Sequence, residues 1–186
     1  MSEKSWEQLE EWCLNCYRCG LSQGRHNVVI DRGSRQSEIM FIGEGPGEQE
    51  DLQGRPFVGP AGQLFDKLLV AAGFAPDEVY VANIVKCRPP NNRDPREEEQ
   101  QACINYLRYQ TALIKPKIII CLGRIAAKAI IDRDFKITKD RGRWIQRKGV
   151  WMMATFHPSA VLRDELKKRP VWEDFKSIRM KFDEIC

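Results

Sequence analysis

The clearest structural signal in this chain is an apolar run that leads directly into a glycine-rich segment. The stretch is Ile39-Met40-Phe41-Ile42-Gly43-Glu44-Gly45-Pro46-Gly47. A short, continuous apolar run bounded by turn residues is typical of a buried strand. We interpret the stretch as a buried strand that ends in a glycine-rich loop, with Glu44 inside that loop.

Strands and helices alternate along the rest of the chain. Three further strand-like runs are Val79–Val85, Ile118–Leu122 and Val150–Phe156. Four helices are predicted. The first contains Leu64, Phe65, Leu68 and Leu69 and ends at Gly73, and the second starts at the capping residue Asp94 and Pro95 and reaches about Leu113. The third follows Gly123, and the fourth covers about 170–185. This alternation predicts an α/β fold, a three-layer α/β/α sandwich with a central, mostly parallel, four-stranded sheet. The 186 residues fit a single domain spanning 1–186.

Polar side chains follow three of these strands. Glu44, Asn83 and His157 each come at or directly after the end of an apolar run. In open α/β sheets, ligands bind at the carboxyl ends of the strands. The three residues therefore predict a functional site at that edge of the sheet.

The composition indicates an intracellular protein that does not enter a membrane. Hydrophobic residues make up 42% and charged residues 30% of the chain, and the polar N-terminus lacks the apolar core of a signal peptide. The longest apolar runs are too short to cross a bilayer. We therefore expect a cytoplasmic location. The net charge of +4 permits a polyanionic partner without establishing one.

Seven cysteines in a reducing compartment indicate metal ligands or redox groups rather than disulfides. Cys13, Cys16 and Cys19 lie within seven residues, and Cys87 and Cys103 are the other candidates. Four thiolates hold zinc or an iron–sulfur cluster, and the wide separation of the last two favours a cluster. One of the three N-terminal thiols is then spare. Cys121, inside an apolar strand, and the terminal Cys186 are expected to be bystanders.

The glycine-rich loop has two interpretations. It lacks the Gly-Lys-Ser/Thr ending of a phosphate-binding loop and the spacing of a dinucleotide fingerprint. The alternative is a loop that lets the backbone approach a flat ligand closely while Glu44 points into the pocket. At this level a small iron–sulfur electron carrier or redox sensor, and a nucleic-acid-binding module without catalysis, both remain open.

Four segments together with the cysteines form a specific combination. They are Gly43–Asp51, Gly54–Gly59, Asn83–Pro90 and His157–Ser159. In order and spacing they resemble the family 4, or type-4 iron–sulfur, uracil-DNA glycosylases, and the resemblance covers nearly the whole chain. It implies a monomeric base-excision repair enzyme. Such an enzyme flips uracil out of single- or double-stranded DNA, hydrolyses its N-glycosidic bond, releases free uracil and leaves an abasic site. Related crosslinking enzymes have Gln where Gly45 stands and an additional reactive His, which this chain lacks.

The resemblance also implies a uracil pocket formed by Glu44, Gly45, Pro46, Phe57, Asn83 and His157. One carboxamide, Asn83, satisfies both O4 and N3–H of uracil, and the ring of Phe57 offers a stacking face. His157, as a neutral imidazole, would donate to O2 as negative charge develops there. Glu44 and Glu50 are both catalytic candidates for orienting the attacking water. Glu50 or Asp51 is instead a candidate for supporting the pocket near uracil C5.

The cofactor implied is a [4Fe–4S] cluster held by Cys16, Cys19, Cys87 and Cys103, with a structural role. It would tie a cluster-binding N-terminal segment, about 1–25, to the loop after the second strand. The departure from the family pattern is Cys13, which leaves Cys13 and Cys16 as an alternative pair.

Two segments are candidates for DNA contacts. The first is a basic stretch around Trp144 that contains Lys139, Arg141, Arg143, Arg147 and Lys148, for which a solvated hairpin is the alternative. The second follows His157, where Leu162 is expected to insert into the gap left by the flipped base and Arg163 to contact the backbone.

Overall fold

The computed structural model describes residues 5–186; Met1–Lys4, the start of the polar N-terminus, lie outside the described residues. The strands are β1 (Arg32–Gly33), β2 (Ile39–Gly43), β3 (Tyr80–Asn83), β4 (Ile118–Leu122), β5 (Ile145–Arg147) and β6 (Val150–Thr155). The α-helices are α1 (Trp6–Leu14), α2 (Glu48–Gln53), α3 (Pro60–Ala71), α4 (Glu97–Ile114), α5 (Arg124–Ile130), α6 (Ile137–Asp140), α7 (Pro158–Arg163) and α8 (Lys168–Ile185). Short 3-10 turns cover Gly20–Gln23, Pro90–Asn92 and Glu165–Lys167.

The sheet has six strands in the order β1-β3-β2-β4-β6-β5, not the four that the sequence predicts. The four inner strands are the predicted ones, and all three pairings among them are parallel. The two additional strands are short antiparallel edges, β1 beside β3 and β5 beside β6. Strands of two and three partly polar residues carry no apolar periodicity, so the sequence gives no signal for β1, whereas β5 and β6 form the hairpin that the sequence offers as the alternative for the basic stretch.

Successive side chains of each inner strand point to opposite faces of the sheet. Both faces are covered by helices, so both sets of side chains are buried. Met40 and Ile42 face a core that includes Leu107 and Ala126. Ile39 and Phe41 face the other core, built from side chains of α3 and α8. This arrangement confirms the three-layer α/β/α sandwich. Among residues 5–186, no helix is long and apolar enough to cross a membrane.

The helix boundaries follow the sequence closely except at the start of α4. Gly73, with φ +87°, follows the last turn of α3 as predicted. The N-cap of α4 is Arg96 rather than Asp94, because the Glu99 carboxylate accepts a hydrogen bond from the Arg96 N–H at 2.7 Å. Asp94 therefore does not cap the helix and pairs with Arg124 instead.

Candidate active site

The carboxyl ends of the parallel strands bring the predicted pocket residues together. A Cβ atom on Gly43, the last residue of β2, would lie 2.3 Å from Asn83 Oδ1 and 2.8 Å from the ring of Phe57. Both side chains therefore rest against the Cα of Gly43, which must be glycine for them to do so. The Phe57 and His157 rings lie with their centroids 5.6 Å apart at an interplanar angle of 32°. One pocket thus contains an amide, an aromatic face and an imidazole.

Asn83 carries an unusual buried oxygen. The residue is 2% exposed, and its Oδ1 is a buried oxygen with no hydrogen-bond partner within residues 5–186. A buried acceptor without a donor costs about 1–3 kcal/mol. A ligand with an N–H or O–H donor would satisfy this oxygen and remove that cost.

Phe57 is held in a strained backbone conformation, with φ +57°. The Glu50 Oε1 accepts from the N–H groups of Val58 at 2.9 Å and Gly59 at 2.8 Å. A Cβ atom on Gly62 would lie 2.0 Å from the Phe57 carbonyl oxygen, so glycine is required there too. Glu50 and Gly62 together hold the aromatic ring in place. The sequence pattern carried no signal for the role of Gly62.

The tautomer of His157 follows from its neighbour on α7. The Ser159 N–H donates to Nδ1 at 3.1 Å, and the Ser159 hydroxyl lies 2.8 Å from the same atom. Nδ1 is therefore the acceptor nitrogen, and the proton of the neutral ring is on Nε2. Burial, with a smaller contribution from Arg163, lowers the pKa of His157 to about 4. At neutral pH the side chain is an uncharged donor through Nε2. Ser159 was visible in the sequence only as part of the His-Pro-Ser motif.

Glu44 lies in the loop after β2 and is half-buried. Burial is the main cause that raises its pKa to about 7, with a further contribution from Asp94, while Arg124 and Arg163 act in the opposite direction. Arg163 acts on both Glu44 and His157, so the two side chains share one electrostatic environment. The next residues support the loop: a Cβ atom on Gly45 would meet Val85 Cγ2 at 2.7 Å, and Pro46 is buried.

Asp51 is hydrogen-bonded to the chain that follows the N-terminal cysteines. Its buried carboxylate accepts from the His26 N–H at 2.9 Å, the His26 Nδ1–H at 2.7 Å and the Asn27 N–H at 3.2 Å. These contacts tie the chain after the third N-terminal cysteine to α2. In the structure the Asp51 carboxylate thus supports the chain around His26 and Asn27, and a role beside the pocket near uracil C5 stays a prediction.

Five cysteines line one cavity on the α4 side of the sheet: Cys13, Cys16, Cys19, Cys87 and Cys103. Leu21, Val28 and Tyr106 contribute to its walls. Two N–H groups point at sulfur: Arg25 Nη1 lies 3.4 Å from Cys87 Sγ, and Lys86 N lies 3.3 Å from Cys103 Sγ. Burial raises the pKa of Cys103 to about 11, so the free side chain is a neutral thiol at neutral pH. No set of three or more Cys, His, Asp or Glu side chains in residues 5–186 is arranged to bind a single metal ion.

The structure separates the predicted DNA-contacting arginines. Arg141 pairs with the buried Asp174 on α8, with Nη2–Oδ1 and Nε–Oδ2 distances of 2.7 and 2.8 Å, and is not free to bind phosphate. Arg147 pairs in register with Val150, so the hairpin places it at the amino end of β6, about 17 Å from the edge that bears His157. Arg143 is exposed and follows Gly142, whose N–H bonds Ala154 near the carboxyl end of β6.

The segment after His157 forms the short helix α7, which begins directly after that residue. Leu162 on α7 is an exposed apolar side chain, with 53% of its surface accessible. Arg163, which ends α7, is also exposed. Because α7 starts at the carboxyl end of β6 and Gly142 bonds to Ala154 there, Leu162, Arg163 and Arg143 follow that end of the strand, whereas Arg147 pairs at its amino end.

Comparison with known proteins shows the family of the chain. Residues 30–176 match the model of the uracil DNA glycosylase superfamily. The chain is 45% identical to the type-4 uracil-DNA glycosylase of Sulfurisphaera tokodaii, over 94% of this chain and 84% of that protein. It is 43% identical to the type-4 enzyme of Thermotoga maritima, over 95% and 94% of the two chains, and 40% identical to that of Archaeoglobus fulgidus, over 98% and 94%. With the strand-end pocket, the thiol-lined cavity and these identities over nearly its full length, the chain belongs to the type-4 uracil-DNA glycosylase family of the uracil DNA glycosylase superfamily.

Proposed function

We propose that this protein removes uracil from DNA by hydrolysing the bond between the base and deoxyribose, as the first step of base-excision repair. The observation that carries the proposal is the buried, unpartnered Oδ1 of Asn83 beside the ring of Phe57. Uracil brings an N3–H donor for that oxygen and an O4 acceptor for the amide NH2. Cytosine presents the opposite pattern and would leave these groups unpaired. Selection of uracil then follows from one amide.

His157 is the proposed donor to uracil O2. As the N1–C1′ bond breaks, the bonding electrons pass to the base and negative charge grows on O2. The neutral imidazole, with its proton on Nε2, donates to that oxygen most strongly in the transition state. Ser159 holds the other ring nitrogen and prevents the alternative tautomer.

Glu44 is the proposed catalytic carboxylate. In its ionised form it orients a water toward C1′, stabilises the cationic sugar and accepts the proton that the water loses. Glu50 was the second candidate from the sequence. We assign it a positioning role because its Oε1 is already engaged by Val58 and Gly59. Asp51 is likewise assigned to support of the chain around His26.

Cys16, Cys19, Cys87 and Cys103 are the proposed ligands of a [4Fe–4S] cluster. The donor set fits, since four thiols from three segments of the chain line one cavity and two of them receive N–H bonds from Arg25 and Lys86. When bound, the cluster supplies a structural cross-link and no electron to the hydrolysis. The cluster would thereby tie the N-terminal segment, about 1–25, to the rest of a single domain. Cys13 lines the same cavity, so the pair Cys13 and Cys16 remains the alternative.

The proposed substrate is uracil in single- or double-stranded DNA, bound by a monomer in the cytoplasm. Leu162 would fill the gap left by the flipped base, and Arg163 and Arg143 would contact phosphates on the same edge.

The direct test is incubation with matched oligonucleotides that carry one uracil or one cytosine. We expect release of free uracil and an alkali-labile abasic site in the uracil strand, and neither product from the cytosine strand. Binding of the uracil strand without base release would contradict the proposal and favour a non-catalytic DNA-binding module.

The rate is expected to depend on the ionisation of Glu44. Because the pKa of Glu44 is raised to about 7, its carboxylate is lost as the pH falls through that value. The single-turnover rate constant should therefore rise about tenfold per pH unit below pH 7 and level off above it, since one ionisation controls it. His157, with a pKa of about 4, should contribute no step in this range. Glu44→Gln is the control and should give a low rate with no such step. A wild-type rate that is constant from about pH 5 to 8 would exclude Glu44 as the essential base.

Salt dependence of DNA binding tests the revised contact surface. Neutralising Arg143 and Arg163 together removes two proposed phosphate contacts. A plot of the logarithm of the DNA association constant against the logarithm of the salt concentration should therefore become less steep by about 2. Arg147→Gln is the matched control, because that arginine lies at the opposite edge of the sheet. Binding to an oligonucleotide with a stable abasic analogue separates affinity from catalysis. A larger effect from Arg147→Gln than from the double variant would place the DNA surface elsewhere.

A further inference from the structure

Lys86 is a buried cation that the mechanism above does not use. The residue is 2% exposed and lies between Asn83 and Cys87 in the chain. Its Nζ donates to the Asn83 carbonyl oxygen at 2.9 Å and to Gln110 Oε1 at 2.6 Å. Both acceptors are neutral, so neither offsets the cost of removing an ammonium group from water. The cavity cysteines and Asp31 favour its charged form instead, so the informative feature of Lys86 is its hydrogen bond to the Asn83 carbonyl oxygen.

The main chain of Lys86 is fixed as firmly as its side chain. Its N–H donates to Cys103 Sγ at 3.3 Å, and its carbonyl oxygen accepts from the Val29 N–H at 2.8 Å. One residue therefore contacts a proposed cluster ligand through its backbone and the base-reading residue through its ammonium group.

A polar network holds the ammonium group from its other side. Gln110 Nε2 donates to the Tyr80 hydroxyl at 2.8 Å and to the Ile30 carbonyl at 3.0 Å. The Tyr80 hydroxyl in turn donates to Asp31 Oδ2 at 2.8 Å. The position of Nζ is thus defined by α4, by β3 and by the chain that precedes β1. Lys86 has little freedom to follow a displaced Asn83, and its ammonium group instead holds that peptide in place.

We propose that Lys86 is a positioning residue for uracil recognition. It fixes the peptide of Asn83 at the end of β3, and so sets the direction in which the Asn83 amide enters the pocket. This inference rests on the proposed function and adds a residue that does not touch the base. Because a displacement of about 1 Å in a catalytic pocket lowers rates by up to about 100-fold, the loss of this hold has a measurable cost.

A double-mutant cycle tests the inference. Lys86→Met keeps the side-chain length and removes the donor, and it should lower the single-turnover rate of uracil release by about 10- to 100-fold. In an Asn83→Ala background the same change should cost less than about 3-fold, because the amide that it positions is absent. The matched control is a His157→Ala background, in which Lys86→Met should again lower the rate by the full factor of about 10- to 100-fold.

Further measurements separate positioning from loss of the fold. Iron content and the melting temperature should show that Lys86→Met retains its cluster and its fold. Lys86→Gln keeps a neutral N–H donor on a shorter side chain and should recover part of the rate. If Lys86→Met is insoluble, Lys86→Gln replaces it in the double-mutant cycle. The expected loss of rate in the wild-type background is then smaller.

Three outcomes are decisive. A wild-type rate in Lys86→Met would overturn the inference. An equal loss in the wild-type and Asn83→Ala backgrounds would also overturn it, since Lys86 would then act independently of the amide. Failure of the wild-type protein to release uracil would overturn the proposed function as well, and is therefore distinguishable from the first two.

Discussion

Replacing Asn83 with Asp is expected to lower the single-turnover rate of uracil release by about 100- to 1,000-fold, as when a transition-state donor is removed. Aspartate keeps an acceptor for uracil N3–H and loses the donor to O4. The same carboxylate is able to accept from the N4 amino group of cytosine. A trace of cytosine release should therefore accompany the loss of uracil release. The measurement is base release from matched uracil and cytosine oligonucleotides with enzyme in excess, so that product release does not mask chemistry.

His157→Ala is the matched control for this change in selectivity. Both bases carry O2, so removing the donor to that atom should slow uracil release without admitting cytosine. The two variants should therefore differ in the uracil-to-cytosine ratio even where their rates on uracil are similar. Full uracil activity in Asn83→Asp would contradict the proposed recognition by the amide, whatever the role of His157.

The second large effect is expected from Cys103→Ala. Cys103 comes from α4 and is the proposed ligand that joins this helix to the N-terminal segment and to the loop after β3. Loss of a metal centre is among the few single changes that destabilise a domain by more than about 4 kcal/mol. We expect the variant to lose its brown colour and its solubility. The wild-type protein should bind about four irons and absorb broadly near ~400 nm.

Two cysteine variants serve as controls for Cys103→Ala. Cys121 is a fully buried thiol in β4, outside the thiol-lined cavity, and Cys121→Ala should cost only packing, about 1 kcal/mol, with full iron content. Cys13→Ala should also retain the cluster. If Cys13→Ala bleaches the protein while Cys19→Ala does not, the N-terminal pair is Cys13 and Cys16. A colourless wild-type protein that contains zinc would contradict the cluster itself.

The sequence was sufficient to locate the four inner strands and the edge where the pocket lies. Apolar runs such as Ile118–Leu122, and glycines such as Gly73, act through local backbone preferences, and those do not depend on distant contacts. The edge strand β1 has no such signal, because pairing at a sheet edge needs only a few residues of any type, and β5 is indicated only by the hairpin alternative for the basic stretch. The sequence pattern also misplaced the cap of α4, where Glu99 is the acceptor rather than Asp94.

The amino-acid sequence by itself determined the α/β order of the chain, the polar residues at the strand ends and the cysteines available as ligands. The tertiary structure alone decided what surrounds each of them. Ser159 sets the tautomer of His157, burial raises the pKa of Glu44, and Arg141 is paired with the buried Asp174. Burial, charge and hydrogen bonding at a side chain are set by segments that are distant in the sequence and adjacent only after folding. A pattern along the chain therefore indicates which groups are present, and packing determines their protonation and their partners.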